Sequence, residues 1–201
     1  MARALRTHWV ITAVIAGGLA LRVLVLIAYR PALELFGDSY SYLGSGITPD
    51  AAHPIGYPVL LRVLSVTGSL AAVVGVQHLL MIAAAIAGYL LLVRLGVRTW
   101  LAGLSAAPMM FDAYQVDVEH FVLSDSVFEV VAVATLVLLL WRDRPGARTG
   151  AVLGLLLGYA VLLRLSAAPL VLVVVIYVLV RRQWRAKASP TGAVLSPGTA
   201  P

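Results

Sequence analysis

Residues 69–98 read SLAAVVGVQHLLMIAAAIAGYLLLVRLGVR. No charged side chain interrupts Ser69–Val93, and Arg94 and Arg98 close the run. About 20 mostly apolar residues in a helix cross the roughly 30 Å of bilayer hydrocarbon. The stretch therefore reads as a membrane span ending in a tight basic turn.

The same reading extends in both directions. Upstream, Trp9–Tyr29 is apolar except for Arg22; it is too long for a signal peptide, and no small-residue cleavage site follows it. Downstream, Thr99–Phe111 is short: at 1.5 Å per residue it covers roughly 20 Å. It either continues as a helix through Asp112–Glu119 or stops within the membrane. Phe121–Trp141 forms the next span, with Asp125 and Glu129 in its first third. Gly150–Leu163 and Leu170–Val180 follow, separated by Arg164, Ser166 and Pro169. The expected fold is all-α: a polytopic membrane helical bundle of about six transmembrane helices with two acidic outside loops. Residues 1–187 form that module. Residues 188–201 are rich in Pro, Gly, Ser and Thr and are expected to be a disordered tail.

Composition agrees. Hydrophobic residues make up 61% of the chain and charged residues 12%, with a mean hydropathy of +0.96. Soluble domains carry about 25% charged residues, so a soluble globular protein is excluded. The absence of cysteine excludes a disulfide scaffold, a thiolate metal site and a cysteine nucleophile. The net charge of +6 is scattered in small clusters rather than gathered in a stripe, which excludes nucleic acid as the partner. There is no P-loop, no dinucleotide glycine fingerprint, no HExxH and no G-x-S-x-G.

Charge sets the expected orientation. Eleven of the 15 Lys and Arg residues lie at the N-terminus (Arg3, Arg6), in the turns at 94–98 and 142–148, or in 181–187. The positive-inside rule places these, and both termini, in the cytoplasm of a cell-membrane protein. Eight of the nine acids lie in or near the other two connections, which calls for a separate explanation.

The first acidic connection contains Gly37-Asp38-Ser39-Tyr40-Ser41-Tyr42. At the mouth of a bundle, the Asp38 carboxylate can serve as a general base or hold a divalent cation. It is equally a solvated loop residue or the N-cap of a short helix. Next, His53-Pro54-Ile55-Gly56-Tyr57-Pro58 is rigid, because proline fixes φ and restricts the residue before it. His53 is pre-oriented there, Tyr57 reads as an interfacial anchor, and Val59–Val66 as an interfacial helix carrying Arg62. The second connection runs from Asp112 through Asp117, Glu119 and His120 to Asp125 and Glu129. Intramembrane acids are functional candidates, although buried charges need partners, and Arg22, Arg62 and Arg164 lie at similar depth. Asp125 and Glu129 are expected to pair with Arg22 or Arg164, leaving Glu119 and His120, nearer water, for a functional role. Gln77-His78 within its span reads as a hydrogen-bonding contact to another helix, and the small residues of the spans at 69–93 and 150–163 as packing surfaces.

Taken in order, these pieces resemble the N-terminal module of the GT-C membrane glycosyltransferases, which include protein O-mannosyltransferases and the lipid A aminoarabinose transferase. The pieces are a first helix with Leu21-Arg22-Val23, then Gly37-Asp38-Ser39-Tyr40-Ser41-Tyr42, His53-Pro54-Ile55-Gly56-Tyr57-Pro58, Gln77, Val118-Glu119-His120 with Leu123-Ser124-Asp125, and Arg164 after a glycine-rich helix. The likeness covers roughly residues 10–180. It implies an enzyme that takes a sugar from a polyprenyl-phosphate carrier and transfers it to an extracytoplasmic acceptor, with membrane lipid as its surroundings, the lipid-linked sugar as donor and a divalent metal as a candidate cofactor. It also implies Asp38 as catalytic base, Glu119 as a second catalytic acid, and Arg22, Arg62 and Arg164 as contacts to the carrier phosphate. Tyr42, His53, Tyr57 and His120 complete the implied substrate site. Members of that class carry more spans, so the resemblance further implies a truncated product, one half of a split enzyme whose partner chain supplies the missing helices, or a minimal homologue. Other classes that fit are a non-catalytic subunit of a membrane assembly and half of a small transporter.

Overall fold

The computed structural model describes residues 7–33, 37–44, 54–141 and 146–188. The chain divides into two compact units, Met1–Ala167 and Ala168–Pro201. The first unit contains α1 (Trp9–Ala28), α2 (Gly37–Gly44), α3 (Gly56–Leu64), α4 (Leu70–Arg94), α5 (Thr99–Leu104), α6 (Ala107–Phe111), α7 (Ala113–His120), α8 (Ser124–Trp141) and α9 (Ala147–Leu163). Single 3-10 turns follow α3, at Ser65–Thr67, and α9, at Leu165–Ala167. The second unit is α10 (Ala168–Ala188), where the Arg181 guanidinium lies 5.7 Å from the Tyr177 ring centre and donates to its hydroxyl at 3.1 Å. No strand occurs among the described residues; one isolated bridge joins Leu33 to Phe121.

Three helices, α1, α4 and α8, of 20, 25 and 18 residues, are long and apolar enough to cross a membrane. The chain is thus all-helical with three such helices, where the sequence led us to expect about six. α9 is an apolar helix of 17 residues. The run at 99–111 does not continue unbroken. It splits into α5 and α6, and the chain turns to extended backbone at Asp112 (φ −64°, ψ 123°) before α7. Asp112 caps α7 by accepting from the Gln115 amide at 2.9 Å, so an acid placed as a cap helps to define the break.

α4 and α9 both pack along α8, while α1 packs on α5 and α6. Between membrane helices the close approach of backbones matters more than apolar burial, because lipid is as apolar as leucine. The glycines separate accordingly. A Cβ added at Gly18 would lie 2.9 Å from Met110, one at Gly103 2.9 Å from the Ile11 nitrogen, and one at Gly56 2.5 Å from the Leu162 carbonyl oxygen. By contrast, Gly75 and Gly88 of α4 and Gly150, Gly154 and Gly158 of α9 meet nothing within 4 Å among the described residues. The glycines that make close contact are those of α1, α3 and α5, while Ala84 and Ala85 of α4 and Ala160 of α9 are buried, so the small residues of the spans at 69–93 and 150–163 pack through alanine rather than glycine.

The two ends of the first unit differ in charge. At one end Arg94 donates to the Trp141 carbonyl at 2.8 Å and lies 5.3 Å from that indole, and His8 meets Tyr89. The turn after α4 passes through Gly96, whose φ of +89° suits glycine. At the opposite end lie the C-terminus of α1, α7, the start of α8 and the end of α9, with Asp112, Asp117, Glu119 and Asp125.

Candidate functional site

The interior of the acidic end is built around a broken helix. α6 stops at Phe111, which leaves its last carbonyls without intrahelical partners in a buried place. Arg22, 1% exposed, fills that need from α1: it donates to the carbonyl oxygens of Met109 (2.9 Å) and Met110 (3.0 Å). The same guanidinium grips the Glu119 carboxylate in a two-pronged pair, Nε to Oε2 at 2.8 Å and Nη2 to Oε1 at 2.6 Å. Such planar double bonding is the strong form of an Arg–carboxylate contact. Glu119 is fully buried.

α7 also ends inside the protein, and α4 caps it. Gln77 donates to the carbonyl oxygens of Glu119 (2.8 Å) and Phe121 (2.9 Å), and its own Oε1 accepts from the Tyr57 hydroxyl at 2.7 Å. Next to it, His78 Nδ1 lies 2.8 Å from Glu119 Oε2. His78 Nε2 is 3.4 Å from His120 Nδ1, and His120 Nε2 is 2.7 Å from the Tyr29 carbonyl oxygen. Gln115 reaches Glu119 Oε1 at 3.3 Å. The Leu33 amide returns to the His120 carbonyl at 3.2 Å, which ties the chain leaving α1 to the end of α7.

These contacts relocate several candidates. Arg22, a candidate contact to a carrier phosphate at the membrane face, lies inside the protein and is held by Glu119 and two methionine carbonyls. Glu119 and His120, placed near water by the sequence, are fully buried. Tyr57 is no interfacial anchor: it has no exposure and donates to Gln77, and burial beside Tyr42 and Tyr159 pushes its hydroxyl well above the ordinary phenol range. It therefore keeps its proton and donates to Gln77. Tyr42, also buried, shares a hydrogen bond with Ser124 at 3.1 Å and meets the Tyr57 ring edge-on, 5.0 Å between centres. Arg164 pairs with Asp125, as expected, with both side chains about 40% exposed. Arg22, the other partner considered for Asp125 and Glu129, goes to Glu119 instead. Arg62 is exposed in the last turn of α3. His53 lies outside the described residues.

Two surface features remain at this end. On α2, Ser39 and Tyr42 are buried while Asp38 and Tyr40 are exposed, so the helix packs by one side and presents Asp38 on the other. A cleft of about 530 Å³ runs between α1 (Leu21, Val25) and α7 (Val116, Asp117), with Tyr29 and Phe111 in its walls. The cleft is mostly apolar, and Asp117 is the one carboxylate among its described lining residues. Among the described residues, no group of three or more His, Asp or Glu side chains is arranged to hold a metal ion.

The structure thus joins Arg22, Glu119, His120 and Tyr57 through Gln77 and His78, and leaves Arg62 and Arg164 outside that network. Gln77 and His78 are the central members; sequence reasoning read them as a hydrogen-bonding contact to another helix, which they are, and assigned them no part in the site. Their adjacency on an apolar helix was the available signal; their partners on α7 were not. Comparison with protein-family models, curated proteins and solved structures returns no match to this chain.

Proposed function

We propose that this chain acts in glycosyl transfer at the membrane: it takes a sugar from a polyprenyl-phosphate carrier and passes it to an acceptor hydroxyl on the extracytoplasmic side. In this reading the path crosses the membrane about six times, the basic end faces the cytoplasm, and a partner chain adds further helices. The observation that carries the reading is the presentation of Asp38. It is an exposed carboxylate on a short helix whose other side is anchored to α8 through Tyr42 and Ser124. The anchored helix gives the carboxylate a fixed position, as a general base requires. The apolar cleft between α1 and α7 suits the first isoprene units of a lipid carrier, and Arg62 is an exposed cation available to phosphate.

The step balances simply. The acceptor oxygen forms a bond to the anomeric carbon, the bond from that carbon to the carrier's phosphate oxygen breaks, and Asp38 takes the hydroxyl proton. General-base catalysis contributes about 10²–10⁴ in rate. Membranes containing the chain are to be assayed with a panel of polyprenyl-phosphate-linked hexoses and pentoses. Asp38→Asn should lower transfer by about 10²-fold or more at unchanged protein level. Transfer that persists in Asp38→Asn removes Asp38 as the base.

A further inference from the structure

The links between Glu119, His78, His120 and Tyr29 require a number of protons that can be counted. The Tyr29 carbonyl can only accept, so His120 Nε2, at 2.7 Å, carries a hydrogen. The Glu119 carboxylate, held ionised by the double contact from Arg22, also only accepts, so His78 Nδ1, at 2.8 Å, carries a second. The contact between the rings, His78 Nε2 to His120 Nδ1 at 3.4 Å, needs a third. Two neutral imidazoles hold two such hydrogens in total. Without the third, the facing nitrogens are two bare lone pairs.

We propose that His78 and His120 form a single proton-binding site, in which one proton beyond those of the neutral rings is held between Nε2 of His78 and Nδ1 of His120 and completes a chain from Glu119 to the Tyr29 carbonyl. The rings lie 5.7 Å apart between centres and both are buried. One added positive charge therefore serves the pair, since two adjacent imidazolium ions would repel each other in a buried place. When loaded, the site links α4, α7 and the segment leaving α1. When empty, the contact between the rings is absent, while His78 still donates to Glu119, His120 still donates to the Tyr29 carbonyl, and Gln77 and the Arg22–Glu119 pair still hold α7.

The groups facing the pair set where it loads. Arg22 on α1 and Glu119 on α7 offset each other's charge. Asp117 on α7 favours the proton on His120, as does the Tyr29 carbonyl; burial and the other ring oppose it. Glu129 on α8 acts at one remove, next to Gln115 and Glu119. Burial is the largest of these influences and lowers the His120 pKa from its ordinary value, so loading belongs to the acidic side of about 6.5. The inference stands apart from glycosyl transfer and needs no activity to test.

The test is nitrogen NMR of the full chain, labelled with ¹⁵N-histidine, in lipid nanodiscs from pH 8 to pH 4.5. His78→Gln and His120→Gln assign the signals. The expected result is one proton taken up by the pair, with both rings reporting one common midpoint and no change in the Glu119 carboxyl carbon shift through that step. At pH 8, His78 should be the Nδ1–H tautomer and His120 the Nε2–H tautomer. In His120→Gln the shared step should disappear from His78. Two independent titrations, each unchanged by loss of the other ring, would overturn the proposal. So would two neutral rings throughout, or a proton found on Glu119. Where a glutamine variant fails to fold, the asparagine variant at the same position supplies the assignment and the single-ring titration.

Discussion

At the scale of single residues, the acidic end depends on one arginine in an apolar helix. Arg22 satisfies two carbonyls at the end of α6 and neutralises Glu119, so its burial follows from the break in the helix rather than from a ligand. Removing one partner of a buried pair leaves an uncompensated charge and costs about 3–5 kcal/mol, whereas replacing both by apolar groups of similar volume is often close to neutral. Glu119→Gln should therefore lower the stability of the detergent-solubilised protein by about that amount. Arg22→Met combined with Glu119→Leu should recover less than the whole loss, because the Met109 and Met110 carbonyls stay without their donor. Thermal unfolding of the three proteins checks this. A Glu119→Gln protein as stable as wild type would mean that the pair is not buried as described. The comparison also bears on catalysis, since loss of transfer in Glu119→Gln carries meaning only if the fold survives.

At the scale of elements, close approach distinguishes glycines that look alike in sequence. Gly56 lets α3 rest on the end of α9, where a Cβ would come within 2.5 Å of the Leu162 carbonyl oxygen; the Tyr159 hydroxyl also donates to the Gly56 carbonyl at 3.3 Å. Backbone lies on both sides of that contact, so no side chain can swing away to relieve it. Gly56→Ala should destabilise by about 1–3 kcal/mol, as forced overpacking does. Gly75→Ala in the middle of α4 adds a methyl where nothing lies within 4 Å and should be neutral, or stabilising by up to about 1 kcal/mol through helix propensity. Unfolding midpoints measured in parallel check both, and equal effects at the two positions would refute the packing account.

At the scale of the whole molecule, the two charge patterns assign direction. Arg94 and Arg98 sit at the end where α4 meets α8, and the acidic connections sit at the other. Basic turns stay on the cytoplasmic side. Reporter fusions after Arg98 should accordingly give a cytoplasmic signal and fusions at Asp50 an extracytoplasmic one. The reverse pattern would place Asp38 in the cytoplasm and remove the proposed transfer reaction with it.

The sequence by itself determined the solvent and the class of the fold. An apolar run of this length can satisfy its backbone in lipid only as a helix, so α1, α4 and α8 were legible from hydropathy, and the basic turn at 94–98 from charge. Local signals also offered Asp38 as a loop residue or the cap of a short helix, and Arg22 or Arg164 as the partner of Asp125; the structure puts Asp38 within a helix and pairs Asp125 with Arg164. The candidate site was legible in its membership but not in its roles: Arg22, Glu119, His120 and Tyr57 were all singled out, yet as surface or substrate groups. Their burial comes from the break at Asp112, which a short apolar run left undecided. Only the tertiary structure decided it, by bringing Arg22 from α1 and Gln77 and His78 from α4 to carbonyls and a carboxylate 41–97 residues away. A hydropathy pattern repeats along one helix and records which residues face lipid or protein. It does not record which exposed backbone end a distant polar side chain will satisfy, because that pairing is fixed by how the helices pack together.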